Sequence, residues 1–277
     1  MKISAAFKRL KTIRSTDPTL TPETWCDVQP CVNIKLGSKQ FLLTQPSSTF
    51  FVYLLGMLTI GVGLNFLRLR SVDGSHLWWG ISMLLWGIGA LLAGTSYQAF
   101  GYQIKCRGQE TVAWTSWWEV IYLIFQQLSM DALLVAVALS CSDGTLQTLL
   151  LAGALICGLV YSVVTFIGGM LAIKSLITFE RMVWVSTPIF LILCILNGWR
   201  YYQSNSPLDL SLIGAWILLL LTMAAYGIYD KLGITPKLWT KGIWFSQNDV
   251  LHIGLILWMI YLAAVVTKLV TASTIMI

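Results

Sequence analysis

The sequence predicts an all-α, polytopic membrane protein with seven transmembrane helices and a cytoplasmic N-terminus. Three observations lead there. Only 11% of residues are charged and 57% are hydrophobic, at a mean hydropathy of +0.75, whereas a soluble domain carries about a quarter charged residues. Seven stretches are apolar over roughly 20 residues, enough helix to cross a ~30 Å hydrocarbon core. The 18 lysines and arginines fall unevenly between the connections. Thirteen tryptophans agree with this class, because indole rings favour the headgroup boundary.

Residues 1–47 form a basic segment ahead of the seven-helix domain, 48–277. In "MKISAAFKRLKTIR", Ile3, Phe7, Leu10 and Ile13 recur at helical spacing with basic residues between them. That pattern suits an amphipathic helix lying on the inner leaflet. It has no apolar core of the signal-peptide kind, although a transit peptide has a similar composition. In "CVNIKLGSKQFLL", Val32, Ile34 and Leu36 alternate ahead of Gly37-Ser38, so a small hairpin fits. Pro46, Ser47 and Ser48 then punctuate the start of the first span.

The apolar stretches run at about 48–67, 77–99, 117–140, 146–173, 183–199, 209–229 and 249–269. The fourth is overlong for a bilayer and is expected to tilt, or to bend at Gly168-Gly169. Pro188 is expected to loosen or kink the fifth near its start. Fourteen of the basic residues lie in the N-terminal segment and the connections after spans two, four and six; four lie on the other side. By the positive-inside rule the N-terminus is cytoplasmic, in the cell membrane, and the span count is odd. The net charge of +6 then reflects loops facing an anionic leaflet, not a nucleic-acid partner.

Gly80, Gly87, Gly94 and Gly101 repeat at intervals of seven on span two. Lipid gives no hydrophobic drive between helices, so such a row marks close approach of a neighbour. Ala154, Gly158 and Ser162 make a similar row on span four. Of the six cysteines, only Cys26 and Cys31 lie close in sequence. No disulfide scaffold is expected, and Cys-x4-Cys without a second ligand pair is a weak metal signal.

Polar groups inside the spans carry the functional information, since burying them in hydrocarbon is costly. Span three holds Glu119, Gln126, Gln127 and Asp131 on one broad helical face that should look inward. Gln127 and Asp131, four apart, are placed to hydrogen-bond. Span two ends in Thr95, Ser96, Gln98 and Gln103, on the side where span seven begins with Asn248, Asp249 and His252. Asn248 or Asp249 is the expected N-cap of that helix. The other histidine, His76, opens span two at the opposite membrane face, about 33 Å from Gln98 at 1.5 Å per residue. An interfacial place beside Trp78 and Trp79 is expected for it, and a metal centre using both histidines is excluded.

This arrangement resembles the CREST superfamily of seven-helix membrane proteins, which includes alkaline ceramidases and progestin/adiponectin receptors. In that family Ser-x-x-x-His ends span two, an Asp lies on span three and His-x-x-x-His opens span seven. Here "GTSYQAFGYQ" places Ser96 near the serine and Gln98 where a histidine stands in the family. Asp131, or Glu119 by depth, matches the acid, and His252 in "NDVLHIGLILW" matches one histidine, flanked at four residues by Asn248 and Ile256. The resemblance implies the fold of a zinc-dependent lipid amide or ester hydrolase. Zinc itself is disfavoured, because carboxamides in place of two histidines are weak ligands.

The expected function is binding of a lipid or small molecule in a polar pocket, in a sensor or accessory role. Ser96, Gln98, Glu119, Gln127, Asp131, Asn248, Asp249 and His252 are its candidate residues. A CREST-like hydrolase and a proton-coupled transporter using Asp131 and His252 are the alternatives. A retinal protein would need a lysine midway along the last span, and Lys268 lies at its outer end. No Gly-x-Ser-x-Gly, Walker loop, dinucleotide fingerprint or His-Glu-x-x-His occurs.

Overall fold

In hydrocarbon every peptide group must be paired within its own segment, so apolar runs of this length fold as helices. The computed structural model describes residues 8–17, 19–69 and 74–275. Seven of its helices are long and apolar enough to cross a membrane: α1 (Pro46–Arg68), α2 (Ser75–Ala99), α3 (Trp117–Cys141), α4 (Gly144–Leu171), α5 (Phe179–Ser204), α6 (Pro207–Lys231) and α7 (Gln247–Thr271). Side chains set several starts. Ser116, Thr178, Ser206 and Ser246 accept from free amides in the first turns of α3, α5, α6 and α7. Such caps satisfy donors that have no partner inside the helix.

α3 is the central span, with 67% of its apolar window buried inside the protein, and α4 is peripheral, at 22%. α4 is one continuous helix. Gly168 and Gly169 do not bend it: they lie in its last turn, where Leu176 and Trp117 come against them. α5 likewise runs unbroken through Pro188.

The glycine row on span two meets α1. A Cβ on Gly87 would stand 2.8 Å from Gly56 O and 2.7 Å from Ile60 Cγ1, and one on Gly63 would stand 3.0 Å from Gly80 O. Two antiparallel helices thus present glycines seven apart to each other, so their backbones nearly touch. Gly94 faces Val52 and Gly101 faces Trp25, which completes the row.

The described part of the N-terminal segment, residues 8–17 and 19–45, folds against the bundle end as a cap; Ile3 and Phe7 of the expected amphipathic helix lie outside the described residues. Strands β1 (Cys31–Leu36) and β2 (Lys39–Thr44) pair antiparallel around Gly37-Ser38. Leu10 is buried among Val120, Leu123, Tyr161, Ile177 and Met182, from three helices and a loop. The chain on either side of Arg14 pairs with the connection after α2: Ser15 N donates to Val112 O and Trp114 N to Ile13 O. Trp25 packs with Cys106 and Val112, and its Nε1 donates to Thr44 Oγ1 at 3.2 Å. Cys26 and Cys31 form a disulfide, contrary to expectation. Their sequence separation is that of a local staple, tying Trp25 to the first residue of β1 rather than building a scaffold.

His76 is buried, with Nε2 3.1 Å from Thr271 Oγ1 and its ring against Phe66.

The contact between α1 and α2 is testable. Gly87→Val should lower stability by about 1–3 kcal/mol, the usual cost of overpacking, read as thermal unfolding in detergent. Gly153→Ala, whose Cβ would meet nothing within 4 Å, should leave it unchanged. A Gly87→Val protein as stable as the parent would show that the two backbones do not meet there.

Candidate functional site

The polar residues singled out by sequence lie in the half of the bundle nearest the cap, but they do not form one cluster. At the start of α7 the N-cap is Ser246, not Asn248 or Asp249. Ser246 has extended dihedrals, its hydroxyl accepts from Asn248 N at 3.2 Å, and Asp249 Oδ2 accepts from Ser246 N at 2.5 Å. Asp249 is therefore the third-position acid of a capping box. It also accepts from Ser47 at 3.1 Å, and Ser48 meets Ser246 at 2.9 Å, so this cap bolts α7 to α1. Asn248 is half-buried beside it.

Ser96 and Glu119 do come together. The last turn of α2, Gly94–Ala99, is wound as π-helix, a local widening that often marks special sites. From it Ser96 donates to Glu119 Oε1 at 2.8 Å and meets Ser116 Oγ at 2.7 Å. Lys105 Nζ reaches the same carboxylate oxygen at 2.6 Å and lies 4.8 Å from the Tyr97 ring centroid. Both partners are almost fully buried. Such a pair is held because removing either member strands a charge away from water. Gln98 is buried in the same turn, with Oε1 lacking a hydrogen-bond partner.

Gln127 and Asp131 form a third group. Gln127 Nε2 lies 3.2 and 3.3 Å from the two Asp131 oxygens, as their spacing predicts, and 3.7 Å from Cys157 Sγ. Ser186 of α5 donates to Gln127 Oε1 at 2.7 Å. Gly158 is small because Asp131 leans on it: a Cβ there would stand 2.9 Å from Oδ2.

A cavity of about 480 Å³ lies among α1, α2, α3, α5, α6 and α7. Its inner wall includes Val52, Trp86, Ala90, Met130 and Leu255, and its polar atoms come from Tyr122, Gln126, Ser186, Thr187 and His252. No lysine, arginine, aspartate or glutamate lines it. Val183 and Leu191 of α5 and Leu220 and Met223 of α6 form an outer rim exposed on the side of the bundle. The opening thus lies among exposed apolar side chains. His252 is 7% exposed, and its Nδ1 has no hydrogen-bond partner.

Sequence reasoning missed Lys105, Ser116 and Ser186. A lysine just past a span reads as a loop charge; the signal was Glu119, a buried carboxylate in need of a counter-charge. It also missed the far end of the bundle. There Asn197 donates to Asp209 Oδ1 at 2.9 Å, Trp216 Nε1 donates to Asn197 Oδ1 at 2.9 Å and Arg200 Nε donates to Asp209 Oδ2 at 3.2 Å. This network fastens α5 to α6, and Phe190 stacks edge-on against Trp216 where the cavity begins.

The residues present do not fit the zinc that the family resemblance implies. Zinc needs three or four nitrogen, sulfur or oxygen ligands about 2.0–2.3 Å away. His252 has no second ligating side chain in the cavity wall, Glu119 is taken by Lys105 and Asp131 by Gln127. Among the described residues no three His, Cys, Asp or Glu side chains are grouped to hold a metal ion.

Seven membrane-length helices make this chain a multi-pass integral membrane protein, and a cavity of about 480 Å³ opens to its side. No known protein family, curated protein or solved structure matches the chain.

The buried ion pair can be probed by substitution. Lys105→Met should cost about 3–5 kcal/mol, the usual penalty for an orphaned buried charge, and Lys105→Met with Glu119→Gln should recover most of it. Unfolding in detergent measures both; equal losses in the single and double variants would argue against the pairing.

Proposed function

We propose that this protein binds a lipid or comparable small apolar molecule, which enters from the bilayer between α5 and α6, in a sensor or accessory role. The observation that carries the reading is the lateral cavity with a buried, unpartnered His252 at its wall. Ligand sites are concave and mostly apolar, about 300–1,000 Å³, with few convergent polar groups. A buried polar atom without a partner calls for an explanation, and a ligand group beside Nδ1 supplies one. The seven spans, Ser96 beside an acid of α3, and His252 in the first turns of α7 support a distant CREST-like kinship for the fold.

Filling the space tests the binding reading. Ala90→Phe places a phenyl ring in the cavity and should reduce co-purifying lipid about tenfold or more, quantified by mass spectrometry of the protein extracted from membranes. Leu149→Phe, on the exposed face of α4, should change nothing. Equal lipid in Ala90→Phe and parent would remove the cavity from consideration.

The same proposal places the cap in the cytoplasm and the protein in the cell membrane. The 14-to-4 distribution of basic residues supports this orientation. The Cys26–Cys31 disulfide then stands on the reducing side, where such pairs are usually transient. A membrane-impermeant maleimide on intact cells should label Ser204→Cys and should label Thr240→Cys only after permeabilisation. The reverse pattern would invert the orientation.

A further inference from the structure

The cavity wall on α5 has a chemical polarity that is set from outside the cavity. Ser186 Oγ donates its single proton to Gln127 Oε1, and Gln127 directs its amide nitrogen at both Asp131 oxygens. Gln127 thus turns its NH2 toward Asp131 and its carbonyl toward Ser186. Ser186 is left with lone pairs only. Its neighbour Thr187 is in the same position, because its hydroxyl donates to Val183 O at 2.7 Å. Two hydroxyl oxygens on this wall can thus accept a hydrogen bond and cannot give one.

The remaining polar groups differ. Gln126 and the Tyr122 hydroxyl each carry donor and acceptor, and a neutral imidazole carries one of each. No hydrogen bond to either ring nitrogen of His252 occurs among the described residues. No charged side chain lines the space, so an ionised headgroup would be buried there without a counter-charge. A ketone, ester or ether can only accept, and would leave Ser186 and Thr187 facing an oxygen. A hydroxyl both gives and takes, and it is uncharged.

Resting on the cavity reading above, we propose that the ligand is an uncharged lipid bearing a hydroxyl, which donates to Ser186 and is held against Gln126 and His252. Gln127 and Asp131 are positioning residues: they do not touch the ligand but fix which way the Ser186 proton points. Asp131 thereby has a role in selectivity that its lack of exposure to the cavity would not suggest.

The test is a competition between matched chains. The purified full-length protein in nanodiscs is equilibrated with equimolar 1-hexadecanol and 1-methoxyhexadecane and repurified, and the retained chains are quantified by gas chromatography–mass spectrometry. The parent should retain the alcohol roughly five- to tenfold over the ether, the worth of one hydrogen bond in a buried site. Asp131→Asn, whose amide can donate and so releases the constraint on Gln127, should bring the ratio below about two with total chain retained unchanged. Ser186→Ala should do the same, and it decides the matter if Asp131→Asn does not fold. Equal retention of alcohol and ether by the parent overturns the inference, as does a parental ratio in Ser186→Ala. Retention of neither chain by the parent would instead overturn the cavity reading itself.

Discussion

Hydrocarbon cannot hydrogen-bond, and that one deficiency organises this protein. A polar side chain inside the spans must find a protein partner or cost several kcal/mol. The described structure answers with compact local clusters: a capping box shared by α1 and α7, an ion pair between Lys105 and Glu119, an amide–carboxylate pair on α3, and the Asn197–Asp209–Arg200 network at the far end. Each joins at least two elements, the α3 pair through Ser186 of α5. Polar residues are the fasteners here because lipid makes apolar contact unselective. His252 stands apart because its Nδ1 has no partner while its ring faces open space.

The placement of these fasteners shapes the cavity. α5 and α6 are tied at the far end by buried hydrogen bonds and by the Phe190–Trp216 contact. Nearer the cap their facing residues line the cavity instead. On the opposite side α1 and α2 lie backbone to backbone through their glycines. Tight packing on one flank and separation on the other give a bundle with a single described side opening of ligand size. The cap packs Leu10 and Trp25 against the bundle end.

Much of this was legible in advance for a physical reason. Span length and hydropathy are properties of contiguous residues, and all seven spans fall within a few residues of the apolar runs. The glycine heptad on span two and the Gln127–Asp131 bond were equally readable, because each depends on helical spacing alone. The N-cap of α7 was misplaced by two or three residues. Asn248 and Asp249 are both good caps, and only the extended dihedrals of Ser246 select among three eligible neighbours. The docking of the cap was missed because its partners lie in another connection about 100 residues away, as Ile13 pairing with Trp114 illustrates.

The sequence by itself determined the membrane class, the number of spans and the inward face of α3. Those follow from composition and from the fixed geometry of a helix, which does not change with its neighbours. Only the tertiary structure decided that Glu119 is neutralised by Lys105, that Asp131 acts on the cavity through Gln127 and Ser186, and that the cavity opens sideways. These depend on which helices stand next to one another and where they part, and side-chain contacts between distant segments leave no periodic trace in the chain.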